Sequence, residues 1–152
     1  MRSVPEPVDA LILLVDDNKL GLSARKALLE EQGYRVTTAA SGEAALELFR
    51  RARFDLVITD FKMPGMNGIE LIRAIRAERP AVPIILISGY TDALGLNELA
   101  TGADVVLAKS ANEVPQLLRT VARLLRRPAR KPAGAQASPA ASRSRKARGA
   151  GV

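Results

Sequence analysis

The sequence predicts an α/β domain whose parallel sheet carries helices on both faces. Two observations support this. Short, continuously apolar runs recur at 10–15, 56–58 and 84–87, as expected of strands buried on both sides. Segments with helical spacing of apolar residues stand between the strands, so strand and helix alternate five times over short connections.

The elements follow in order. Ala10 to Val15 (Ala-Leu-Ile-Leu-Leu-Val) reads as the first strand and ends on Asp16-Asp17-Asn18. The spacing predicts a helix over 19–32 with Leu20, Ala24, Ala27 and Leu28 on its buried face, stopped by Gly33. Tyr34 to Thr38 alternates like a strand. Ser41-Gly42 opens a second helix, with Ala44, Ala45, Leu48, Phe49 and Ala52 facing inward. The central strand, 55–60, ends on Asp60 and on the turn residues Met63-Pro-Gly65 and Asn67-Gly68. A third helix runs over 67–78, where Asn67 and Glu70 have capping-box spacing. Ile84 to Ile87 is a fourth strand ending on Ser88-Gly89-Tyr90. Residues 92–100 read as a shorter, weaker helix, and 104–108 as a fifth strand ending on Lys109. The last helix, 113–127, has Val114, Leu117, Leu118, Val121, Leu124 and Leu125 on one stripe. Asn112 is its expected cap, with Pro115 in the first turn, where a missing N–H costs nothing.

Composition narrows the chemistry. The 152 residues include no cysteine and no histidine, so disulfides, thiolate metal sites and imidazole chemistry are all excluded. A metal would have to be held by oxygen, which points to magnesium or calcium. No apolar run reaches the roughly 18 residues of a membrane span, and the start of the chain is not a signal peptide, so a cytoplasmic protein is expected. Six basic residues (Arg130, Lys131, Arg143, Arg145, Lys146, Arg148) and no acid fall in 128–152. Subtracted from the whole-chain +7, they leave residues 1–127 near +1. That tail, rich in Ala, Pro, Ser, Gly and Arg, is expected to be disordered. A solubilising extension is favoured over a nucleic-acid or membrane contact, because the tail lacks aromatic residues for bases to stack on.

The strand ends carry the functional signal. In a parallel sheet Asp16 and Asp17, Asp60, Ser88 and Lys109 converge on one edge. Taken singly, the acids can be helix caps, the serine a turn residue and the lysine a surface charge. Three carboxylates packed together, however, raise each other's pKa unless a cation lies between them, and magnesium is the economical choice. A carboxylate can be the nucleophile of phosphoryl transfer. Asp60 is then the acceptor, Asp17 (with Asp16 through water) holds the metal, and Lys109 and Ser88 meet the phosphoryl oxygens.

Leu-Leu-Val-Asp-Asp-Asn (13–18), Asp60-Phe-Lys-Met-Pro-Gly-Met-Asn-Gly68, Ile-Ser-Gly-Tyr (87–90) and Lys109 together resemble the receiver domain of two-component response regulators over roughly residues 10–127. The resemblance implies a flavodoxin-like (βα)5 sheet of strand order 2-1-3-4-5. It also implies Mg²⁺-dependent phosphorylation of Asp60 by a histidine kinase or phosphotransferase. Asp16, Asp17, Asp60 and the backbone carbonyl of Lys62 would surround the metal, and Ser88 and Lys109 would bind the phosphoryl group. The output would be a surface presented to a downstream protein by the fourth helix, fifth strand and fifth helix, a face that also suits a homodimer.

The chain departs from the family pattern in two places. Ser110, where receivers usually have proline, predicts a trans bond after Lys109, since a cis bond before a non-proline costs about 2.5–4 kcal/mol. Val106 stands where receivers commonly carry the aromatic switch residue, leaving Tyr90 as the nearby aromatic candidate. Lys62 and Tyr90 beside the acceptor predict slow loss of phosphate. The resulting organisation is an extension (1–9), a receiver domain (10–127) and a basic tail (128–152), acting as a single-domain response regulator rather than an enzyme. The main alternative is a receiver-like interaction module that does not switch. A metal-dependent phosphohydrolase ranks lower, because Lys62 occupies the position two past Asp60 where a general acid/base carboxylate would stand.

Overall fold

The computed structural model of the chain describes residues 9–89 and 95–126. Five parallel strands form one sheet in the order β2-β1-β3-β4-β5, as the resemblance implies. In chain order the elements are β1 (Leu11–Val15), α1 (Lys19–Glu31), β2 (Arg35–Ala39), α2 (Gly42–Arg51), β3 (Leu56–Asp60), α3 (Gly68–Glu78), β4 (Ile84–Ser88), α4 (Glu98–Thr101), β5 (Val105–Ala108) and α5 (Glu113–Arg126). The chain divides into two compact units. Residues 1–121 hold the sheet, and of 122–152 the structure describes only the helical stretch 122–126. The expected disordered tail and Tyr90 lie outside the described residues.

The apolar runs form strands because both of their faces find cover. Leu13, Val15, Val57, Ile84 and Leu86 point into a cluster with Ala45 and Phe49 of α2 and Leu71, Ile72 and Ile75 of α3. The alternate residues Ile12, Leu14, Ile58, Ile85 and Ile87 are buried on the opposite face. There α1 and α5 supply the second layer with Leu22, Leu29, Leu117 and Val121. Each such side chain contributes roughly 1.5–3 kcal/mol. The register Val15↔Thr59, Asp60↔Ile87 and Ser88↔Ala108 brings the strand ends level along one edge.

Local chemistry sets the helix boundaries. The Asn18 side chain accepts from the Gly21 N–H and starts α1, and Ser41 does the same for α2 through the Ala44 N–H. In α3 both bonds of the capping box form: the Glu70 N–H donates to Asn67 Oδ1, and the Asn67 N–H donates to Glu70 Oε1. At α5 the Asn112 carbonyl accepts from the Gln116 N–H, and the Ser110 hydroxyl accepts from the Asn112 N–H.

Three expectations are corrected. Ala52, expected on the inward face of α2, is exposed just past the helix end. The inward face of α1 is Leu22, Arg25 and Leu29, whereas Leu20 is 83 % exposed and Ala24 and Ala27 also face solvent. The apolar pattern pointed the wrong way because a buried arginine sits in the middle of the true stripe. The helix expected over 92–100 is, in its described part, shorter. Gly95 adopts φ +66°, and α4 begins only at Glu98, where Asn97 accepts from the Ala100 N–H. Among the described residues no peptide bond is cis, so Ser110 follows Lys109 through a trans bond, as expected.

Candidate functional site

Four strands deliver the polar residues to the carboxyl edge. Asp16 follows β1, and its N–H donates to the Ala39 carbonyl (3.2 Å), which holds the residue in the sheet plane. Asp60 is the last residue of β3 and Ser88 the last of β4. Lys109 follows β5, tied by its N–H to the Ser88 carbonyl at 3.0 Å. Asn18, rather than Asp16 or Asp17, caps α1, so the acid pair is not spent on the helix end. Gly68 lets α3 start against the end of β3. Its N–H donates to the Phe61 carbonyl at 2.8 Å, and a Cβ there would strike the Asp60 carbonyl.

Asp16, Asp17 and Asp60 each offer a carboxylate oxygen, and these atoms lie within 4.8 Å of one another. Asp16 and Asp60 are almost fully buried, at 2 % and 5 % exposed, while Asp17 faces solvent. Lys109 reaches in from the surface and places Nζ 2.9 Å from Asp60 Oδ1. The lysine, one residue past β5, therefore reaches Asp60 without a proline after it. An open cleft of about 650 Å³ lies over the group, lined by Asp17, Asn18, Asp60, Lys62, Met63, Pro64 and Lys109. Ser88 is buried at the neighbouring strand end.

Burial pushes the Asp60 carboxyl above its ordinary value. The Lys109 ammonium draws it back down, the Asp16 carboxylate raises it again, and the Arg25 guanidinium opposes that. The net direction is upward, so the lysine does not offset the burial of the carboxyl. A hard divalent cation fits this donor set: oxygen ligands on two buried carboxylates and one exposed one, opening on a cleft wide enough for further oxygens.

The sequence reading missed two residues. Arg25 Nη1 donates to Asp16 Oδ2 at 2.6 Å and Arg25 Nε to Glu113 Oε2 at 2.8 Å, so a buried guanidinium links the acid pair to the first turn of α5. The only sequence signal was an arginine in a helical stretch that otherwise wanted an apolar residue. Val106, at the expected switch position, is half-buried against the core, and its N–H donates to Glu98 Oε2 at 2.8 Å.

Comparison with known proteins agrees with this geometry. The family model for the response regulator receiver domain matches residues 12–122. The virulence sensor protein BvgS of Bordetella bronchiseptica is 41 % identical over 110 residues, covering 67 % of this chain and 9 % of that protein. The transcriptional regulatory protein ZraR of Escherichia coli is 40 % identical over 93 residues, covering 60 % of this chain and 21 % of that protein. The chain therefore spans only a small part of these curated relatives. The response regulator TrrA of Thermotoga maritima, solved in complex with Mg²⁺-BeF, superposes with a TM-score of 0.69 at 37 % identity, over 76 % of this chain and 98 % of that one. TrrA has also been solved in complex with the histidine kinase ThkA. Among the described residues no helix is long and apolar enough to cross a membrane. By its family match, its strand order and its edge of strand-end acids, the chain belongs to the response regulator receiver domains, a family of signalling modules in two-component systems.

Proposed function

We propose that residues 10–127 form a phosphorylatable receiver domain in which Asp60 accepts a phosphoryl group from a histidine kinase or phosphotransferase. Residues 1–9 and 128–152 are its flanks. The observation that carries this reading is the buried Asp60 carboxylate, held at 2.9 Å by Lys109 beside two further acids and open to a cleft. An Asp60 oxygen attacks the phosphorus of a phosphohistidine. The P–N bond breaks, its electron pair leaves with the imidazole nitrogen, and that nitrogen takes up a proton. Asp16, Asp17, Asp60 and the Lys62 carbonyl would hold Mg²⁺, which when bound neutralises charge on the phosphoryl group in transfer. Lys109 is positioned to exchange its carboxylate partner for a phosphoryl oxygen. Ser88, at the adjacent strand end, is the hydroxyl donor for another. The pull of the phosphoryl oxygens on these two side chains would shift the population of surfaces offered to a downstream protein.

Supporting this, TrrA was solved with a phosphoryl mimic and with a kinase. A second reading, a module that does not switch, draws support from Val106, whose backbone is fastened to Glu98 and whose side chain has no ring to move. One experiment separates the two. Incubation with Mg²⁺ and acetyl phosphate, followed by intact-mass measurement, is expected to add one phosphoryl group per chain in wild type and none in Asp60→Ala. No incorporation in wild type would reject the switch.

A further inference from the structure

Arg25 is a charged side chain, 9 % exposed, on a helix face otherwise made of leucines. A guanidinium so deep needs charged partners, and it has two. Nη1 lies 2.6 Å from Asp16 Oδ2, and Nε lies 2.8 Å from Glu113 Oε2. The route to Asp16 is open because the residue one turn earlier is Gly21. A Cβ at that position would sit 3.1 Å from Asp16 Oδ2 and 3.7 Å from Arg25 Nη1. Helical side chains lean back over the preceding turn, so this glycine clears the space the arginine occupies.

The other Asp16 oxygen, Oδ1, accepts the Asn18 N–H at 3.0 Å. The Asp16 carboxylate therefore has an orienting partner besides the arginine. What Arg25 adds is a positive charge on an acid of the cluster within 4.8 Å of Asp17 and Asp60. Glu113 takes part of that charge from the other side, 88 positions along the chain.

We infer that Arg25 sets the divalent-cation affinity of the site by competing for Asp16, and that Glu113 is the counterweight that keeps this competition weak. Arg25 and Glu113 act through the Asp16 carboxylate and are positioning residues. The inference rests on the proposed metal-dependent reading of the acid cluster. Coupling is reciprocal: a cation that draws on Asp16 loosens Arg25 from it and hands the guanidinium to the first turn of α5. Opposite signs distinguish this from a packing role. Removing the guanidinium removes a charge that repels the cation. Neutralising Glu113 leaves that charge less shared and more repulsive.

The test is a calorimetric Mg²⁺ titration of the full chain, with thermal melts in EDTA alongside. Arg25→Met is expected to bind Mg²⁺ about fivefold more tightly than wild type, and Glu113→Gln about fivefold more weakly, the range of a partly screened charge. Should Arg25→Met fail to fold, Arg25→Met/Glu113→Leu replaces the whole pair by apolar side chains, a change that buried ion pairs often tolerate. That double variant is expected to bind more tightly than Glu113→Gln. Shifts of both single variants in the same direction, or within twofold of wild type, would overturn the inference while wild-type binding leaves the metal reading standing. Absence of saturable binding in wild type would overturn both.

Discussion

The two ends of the sheet use the same residue types to opposite effect. At the amino end, two acids have found backbone donors. The Asp55 carboxylate accepts the Leu11 N–H at 2.8 Å, pinning the start of β1, and Asp104 accepts the Ile84 N–H at 2.8 Å, pinning the start of β4. Arg76 there donates to the carbonyls of Pro80, Val82 and Gly102 and to Asp104, and Arg79 donates to the Phe54 carbonyl. At the carboxyl end, Asp16, Asp17 and Asp60 crowd one another with Lys109 reaching only one of them, and burial holds the Asp60 carboxyl above its ordinary value. Charges distributed over main-chain groups lock a fold. Charges crowded together remain available for a cation or a phosphoryl group.

The largest expected effect lies at the amino end. Arg76→Ala strips four acceptors of one donor and is expected to cost about 3 kcal/mol. Thermal unfolding followed by circular dichroism would measure it, with phosphoryl incorporation of the folded variant unchanged at low temperature. A loss below about 1 kcal/mol would mean that these bonds do not lock the fold.

Gly68→Ala tests whether the carboxyl end leans on backbone packing instead. Its new Cβ meets the Asp60 carbonyl, so a loss of roughly 1–3 kcal/mol is expected, together with slower phosphorylation as Asp60 is displaced. Urea unfolding and a phosphorylation time course read the two effects separately. A destabilised variant with an unchanged rate would place Gly68 in the scaffold alone.

The smallest effect has the opposite sign. Asp60→Asn in EDTA is expected to stabilise the fold, by no more than about 1 kcal/mol. The carboxyl titrates higher in the folded than in the unfolded chain, so the folded state holds an extra proton between the two values. That contribution is complete below the unfolded value near 3.8 and is lost as the pH rises through the folded one. Asparagine should therefore gain on aspartate with rising pH across that window and then level off. Melting temperatures of both proteins across the acid range check this, and a variant less stable than wild type at neutral pH would contradict it.

Much of this was legible beforehand. The order of elements followed from apolar periodicity, and the α3 capping box from Asn67 and Glu70, because caps and stripes are local and need only a few neighbouring residues. Asp16, Asp17, Asp60, Ser88 and Lys109 could be placed on one edge because a parallel sheet brings its strand ends together whatever their sequence separation. The inward face of α1 was misread for a physical reason: Arg25 is stable there only because Asp16 and Glu113 meet it in three dimensions. The shortened α4 depends on Gly95 taking a positive φ, which the sequence permits but does not require.

The sequence by itself determined the alternation of strand and helix and the residue type at each strand tip, since both follow from short-range pattern and turn chemistry. Only the tertiary structure decided that Lys109 reaches Asp60 with a trans bond to Ser110 after it, and that a guanidinium ties Asp16 to the first turn of α5. These are distances between segments far apart in the chain, fixed by how helices settle on the sheet, and no local periodicity encodes them.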